Sequence, residues 1–113
     1  MLDKKVLDQI NSTIEKIKSY RKIYCEKTKD NPTCKLAKQI YRTIPILYGE
    51  SSSTSSIALR WKGQFCENSK MLAYHNEIPE MNHNEIVPWV NKNVCVIPLF
   101  LNGNSLSRNK KRM

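Results

Sequence analysis

No run of apolar residues in this chain approaches the roughly 20 needed to cross a bilayer. The N-terminus MLDKKVLDQI mixes charge with apolar residues and has no signal-peptide core. Both absences point to a cytoplasmic protein without a membrane partner. Cysteines are few and scattered. Cys25, Cys34, Cys66 and Cys95 form no close pair, so neither a zinc site nor a compact disulfide framework is suggested and reduced thiols are expected. Histidine is scarcer still, with two residues, and neither is near Cys66 in sequence; a free cysteine there reads as a small core hydrophobe, not a nucleophile. No set of side chains shows metal-ligand spacing, and no metal site is expected.

Acidic residues are also in short supply, 10 against 19 Lys and Arg, for a formal charge of +9. That balance admits a nucleic-acid or acidic-membrane partner. The lysines, however, are spread along both N-terminal helical stretches and the tail, and are not gathered with aromatics into a stacking platform. A solvated face is the simpler reading, and no nucleic-acid partner is expected.

The 113 residues, 40% hydrophobic and 26% charged, suffice for one small domain with a modest core. Residues 3 to about 27 place Val6, Ile10, Ile14 and Ile17 at three- and four-residue steps, which predicts an amphipathic helix in need of a partner. Asn31-Pro32 supplies an N-cap and a proline at the first helical position for a short helix through about Ile40. Thr43 to Tyr48 is a short apolar run ending in Gly49, the pattern of a buried parallel strand. Ser51 to Ser56 can offer hydroxyls and N–H groups to a phosphate at a helix start, or serve simply as loop and N-cap residues. A helix from about Thr54 to Lys70 carries a stripe of Ile57 or Ala58, Trp61 and Phe65.

The residues hardest to explain as solvated surface lie between Ile57 and Trp89. Glu67 sits on that helix, aimed away from the stripe; by itself it reads as an exposed carboxylate near Lys70. MLAYHNEIP predicts a second strand and its exit. Asn82 followed by Glu85 fits a capping box, which would put His83 in a first helical turn, where the positive end of the helix dipole favours neutral imidazole. Glu80 is a loop carboxylate in this reading and Glu85 a helix cap. Trp89 and Val90 close the helix, and Val94 to Leu101 predicts a third strand, with Pro98 arguing for a strand end or a sheet edge.

RWKGQFCENSK followed by PEMNHNEIV resembles the signature of the bifunctional phosphoglucose/phosphomannose isomerases, which are built from two sugar-isomerase (SIS) domains. NPTCKLAKQI, IPILYGE, VCVIPLFL and RNKKRM extend the resemblance over about residues 31 to 113. It implies a truncated SIS-type α/β domain: a short parallel sheet of about three strands flanked by helices, with a long N-terminal helix. In this reading residues 1–30 are a linker helix, 31–104 part of the C-terminal SIS domain, and 105–113 a basic tail that starts a further helix.

The reaction the resemblance implies interconverts glucose 6-phosphate and mannose 6-phosphate with fructose 6-phosphate through a cis-enediolate. Position by position, Glu67 matches the isomerisation base, its ENSK context resembling the family's ENxK, and His83 matches the ring-opening acid/base. No cofactor is implied, since a cationic side chain can stabilise an enediolate. The family's arginine for that role belongs to the first SIS domain, which also takes most of the substrate phosphate, so the Ser/Thr run is read as loop. Substrate-binding residues stay unassigned. The histidine reaches the site from a neighbouring subunit in related isomerases, so a homodimer is implied. Cys66 and Pro88 depart from the usual Asn and Gly. The expectation is a fragment inactive by itself, with two alternatives: a non-catalytic SIS-like sugar-phosphate binding or interaction module, and a basic nucleic-acid-binding protein.

The charge distribution yields a first test. Affinity for duplex DNA or RNA should be negligible at submicromolar protein near physiological salt; tight binding that collapses as salt rises would make the positive charge a binding surface.

Overall fold

The computed structural model of the chain describes residues 3–91 and 93–103. The expected start of a helix within 105–113 lies outside them. Two compact units divide between Tyr41 and Arg42.

The first unit holds α1 (Lys4–Cys25) and α2 (Pro32–Ile40), close to the helices the apolar periodicity predicts. Val6, Ile10, Ile14 and Ile17 are all exposed, and α1 buries none of its residues. Asn31 joins the two helices. Its Oδ1 accepts from the N–H groups of Thr33 and Cys34 at 2.7 and 3.2 Å, capping α2 as expected. Its Nδ2 donates to the carbonyls of Ile23, Tyr24 and Glu26 at the end of α1, where helix carbonyls lack intrahelical partners; the Tyr24 carbonyl also accepts from Thr33 Oγ1.

The second unit is a parallel sheet in the order β2-β1-β3, with β1 spanning Ile44–Gly49, β2 Tyr74–Glu77 and β3 Val96–Leu101. The expected class, a short three-stranded parallel α/β sheet flanked by helices and preceded by a long helix, is what the chain forms. β1 lies in the middle, and its alternation feeds two cores. Leu47 points to one face and joins Ala58, Ala73, Phe65, Leu99 and Leu101. Ile46 and Tyr48 point to the other and join Ile78, Met81 and Trp89.

α3 (Ser55–Asn68) covers the Leu47 face through Ala58, Phe65 and Cys66. Trp61, expected in this stripe, is 41% exposed and instead meets Phe65 edge-on. Gly49 ends β1 where α3 begins; a Cβ there would lie 2.7 Å from backbone atoms of Thr54 and Ser55, so the close approach itself requires glycine. Lys70, with φ 54°, turns the chain out of α3 while the Met71 N–H reaches back to the Phe65 carbonyl.

The segment after β2 departs from expectation. Helical structure begins at Ile78, with Pro79 in its first turn, and runs through Glu80 into a π-helical turn, Met81–Glu85. Asn82 is therefore inside the segment and does not cap it; the proline fixes an earlier start. Glu85 forms no capping box, because two donors from the sheet claim its carboxylate. His83 lies beyond the first turn, so the helix-start argument for neutral imidazole loses its premise. Pro88–Val90 is a separate 3₁₀ turn. Pro98 sits mid-strand, in a strand that pairs on one side only among the described residues, which fits the edge placement.

Loss of the Asn31 side chain should cost about 1–2 kcal/mol of unfolding free energy, the range for a missing cap with its buried hydrogen bonds. Urea titration followed by far-ultraviolet circular dichroism would compare Asn31→Ala with Asn31→Asp. The aspartate keeps the cap acceptor but loses the three donations to α1, so it should recover part of the loss; equality with wild type would show that the bonds to α1 contribute nothing.

Candidate active site

Five carboxylates lie between Arg42 and Gly103, and their partners separate them into two kinds. Glu50 accepts from Ser53 Oγ at 2.8 Å. Glu77 accepts from Ser51 Oγ at 2.5 Å and Ser55 Oγ at 2.9 Å. Glu80 accepts from Asn84 Nδ2. Glu85 accepts from Tyr48 Oη at 2.5 Å and Asn76 Nδ2 at 2.6 Å. Among the described residues, Glu67 has no hydrogen bond to its carboxylate: Lys70 Nζ donates to its backbone carbonyl, not to its side chain. It stands exposed in the last turn of α3. His83 is likewise exposed in the π turn, and its imidazole is not hydrogen-bonded among the described residues.

Glu67 and His83 are not brought together within one copy. α3 packs on the Leu47 face of the sheet and the segment carrying His83 packs on the Tyr48 face, so the sheet lies between the elements that carry them.

The Ser/Thr run sits at the carboxyl ends of the strands, where open parallel sheets place ligands. Many of its polar groups are committed internally, those of Ser51, Ser53, Thr54 and Ser55. The N–H groups of Ser53, Thr54 and Ser55 all point to the Glu50 carbonyl. Thr54 Oγ1 accepts from the Glu50 N–H at 2.9 Å and donates to the Leu101 carbonyl at 2.5 Å, tying β1 to the end of β3. The serine hydroxyls serve Glu77 and Glu50. Thr54 is the N-cap residue of α3 but makes no side-chain cap bond. The two serine bonds, that from Ser51 above all, hold the Glu77 carboxyl below the usual carboxylate range.

On the other face, Tyr48 is fully buried, with its hydroxyl donating to Glu85 and accepting from Trp89 Nε1 at 3.2 Å. Burial, with the Glu85 contact, pushes its pKa well up, so it remains a protonated donor. Sequence reading assigned no partner to Tyr48 or Asn76. The available signal was alternation: YHNE as a strand puts Asn76 on the face opposite His75 and Glu77, but only the register of β2 against β1 sets it beside Tyr48. Cys66 packs against the Leu47 cluster, as a small hydrophobe would.

A family model described as the bacterial phospho-glucose isomerase C-terminal SIS domain matches residues 29–113. The chain belongs to this family. Among curated proteins, this SIS chain is 44% identical over 82 residues to the bifunctional phosphoglucose/phosphomannose isomerase of Caldicellulosiruptor bescii, an overlap of 71% of the chain and 24% of that protein. It is 39% identical over 84 residues to the enzyme of the same name from Aquifex aeolicus, covering 74% of the chain and 24% of the relative. The Thermoplasma acidophilum enzyme is 51% identical over 55 residues, 47% of the chain and 17% of the relative. The SIS chain thus spans about a quarter of the length of the first two relatives. No solved structure matches it significantly. Among the described residues no helix is long and apolar enough to cross a membrane.

Through its serine bonds, Glu77 should make folding acid-sensitive. Because its folded pKa is depressed, the stabilisation it contributes is present above the ordinary carboxylate range and is lost as pH falls through the folded value. The urea midpoint of the wild-type chain should therefore fall more steeply between about pH 6 and about pH 3 than that of Glu77→Gln. Parallel profiles would show that the serine bonds do not favour the charged form.

Proposed function

We propose that the chain supplies the proton-transfer groups of an aldose–ketose isomerase that interconverts glucose 6-phosphate and mannose 6-phosphate with fructose 6-phosphate. The observation that carries this reading is the family match over 29–113, which spans both the ENSK and the NHNEI blocks. Side-chain partners support it. Of the five carboxylates in this unit, Glu67 is the one left free to meet a substrate among the described residues, while Glu77, Glu80 and Glu85 are held by neighbours.

In this mechanism His83 moves the proton that opens the sugar ring, and Glu67 then takes a proton from one of C1 and C2 and returns it to the other through a cis-enediolate. Both roles need an accessible side chain, and both residues are exposed. Because the sheet lies between the elements that carry them, Glu67 of one copy would work with the histidine of a second, which favours a homodimer. The enediolate needs a cationic stabiliser, and no arginine of this chain matches the family's residue for that role. The chain therefore depends on the rest of a full-length isomerase and is inactive alone; residues 1–30 serve as the linker helix and 31–104 as part of the C-terminal SIS domain. A cytoplasmic location accompanies this reading, as the phosphorylated substrates are charged and do not cross bilayers unaided.

A chimera tests it: the chain in place of the matching segment of the C. bescii isomerase, assayed for fructose 6-phosphate formation beside the chain by itself. The chimera should turn over and the chain should not, since groups that position the substrate contribute several kcal/mol to such a barrier. Glu67→Gln and His83→Ala should each lower the chimera's kcat by roughly 100-fold or more, the usual contribution of a general acid or base. Full activity in the Glu67→Gln chimera would remove it as the base, and robust turnover by the isolated chain would remove the dependence on other segments.

A further inference from the structure

The His83 imidazole makes no hydrogen bond among the described residues, so the placement of its ring is inherited from the backbone beneath it. That backbone is a π turn. The Ile86 N–H reaches the Met81 carbonyl at 2.8 Å, an i to i+5 bond that widens the helix at His83, as π turns do at many functional sites. Apolar packing holds the turn on one side through Ile78 and Met81. Beside Glu85 and Tyr48 a cavity of about 150 Å³, bounded also by Ile46, Pro88, Trp89 and Val94, interrupts that packing.

The polar link is Glu85, two residues beyond His83. Its two carboxylate oxygens take donors from two different strands, Tyr48 of β1 and Asn76 of β2. Tyr48 is fixed in turn by the Trp89 N–H, and the Asn76 oxygen accepts the Glu77 N–H, so neither donor is free to turn away. We propose that Glu85 is the positioning residue of this site: clamped by Tyr48 and Asn76, it fixes the π turn on the sheet and thereby sets where His83 presents its imidazole. The proposal rests on the reading of His83 as the ring-opening group.

The hydrogen-bond polarity gives a specific test. Glu85→Gln keeps the shape but offers one acceptor and one donor where two acceptors are needed, leaving its NH₂ against the Asn76 NH₂. Adding Asn76→Asp reverses that bond and restores it, since one oxygen of the introduced carboxylate can accept from the introduced amide while the other still accepts from the Glu77 N–H. In the 113-residue chain, amide hydrogen exchange should show protection across 78–90 falling about tenfold in Glu85→Gln with β1 unchanged, and recovering in the Asn76→Asp/Glu85→Gln pair. In the chimera, Glu85→Gln should lower kcat on the cyclic hexose 6-phosphates about tenfold with little change in KM. It should spare a four-carbon aldose 4-phosphate, whose C4 oxygen is esterified and which has no ring to open. Unchanged exchange, an unrescued double variant, or equal losses on cyclic and open-chain substrates would each overturn the proposal. Normal turnover of cyclic substrates by His83→Ala would instead defeat the assignment of His83, with the exchange measurements still deciding whether Glu85 anchors the turn.

Discussion

The two-residue repeat of a β-strand lets one short edge strand hold both coverings of this sheet. At the end of β2, Asn76 faces the Tyr48 side and Glu77 the Leu47 side, as the pairing of Tyr48 with Asn76 and of Gly49 with Glu77 requires. Asn76 bonds to Glu85 and so holds the π turn; Glu77 bonds to Ser51 and Ser55 and so holds the start of α3. A slip of one residue in the β1–β2 register would send each side chain to the wrong face and break both ties. Register is thus constrained by polar partners as well as by the two cores.

The separation of Glu67 from His83 follows from topology. With the strand order β2-β1-β3, right-handed crossovers from β1 to β2 and from β2 to β3 must run over opposite faces. α3 and the segment 78–90 are those two crossovers, and each carries one of the two residues. The same topology concentrates internal bonds at the strand ends, where Thr54 ties the loop after β1 to Leu101. In this arrangement the Ser51, Ser53 and Ser55 hydroxyls are structural fasteners for Glu50 and Glu77.

Local signals in the sequence carried much of the fold. Asn31-Pro32 specified a helix start because its chemistry is confined to neighbouring residues, and the structure shows the cap. Apolar runs marked β1 and β3, and the isoleucine spacing marked α1. The helix at Asn82 was misplaced because a capping box is also a local pattern, and there a distant partner prevailed: Tyr48 lies 37 residues from Glu85 in sequence, and its buried hydroxyl takes the carboxylate that the cap would have used. Trp61 went astray for a related reason, since helical spacing identifies a stripe but not how far the sheet extends beneath it.

The sequence by itself determined the parallel α/β class, the family and the identities of the candidate acid and base, because apolar patterning and long motif blocks are properties of residue order. Tertiary structure decided which carboxylates were free and which were held. Five glutamates between Arg42 and Gly103 are chemically equivalent as letters, and burial and the placement of donors on neighbouring strands distinguish them. It also decided that Glu67 and His83 ride on opposite faces of one sheet, since side chains acquire a common site, or lose one, only when strand order and crossover direction are fixed.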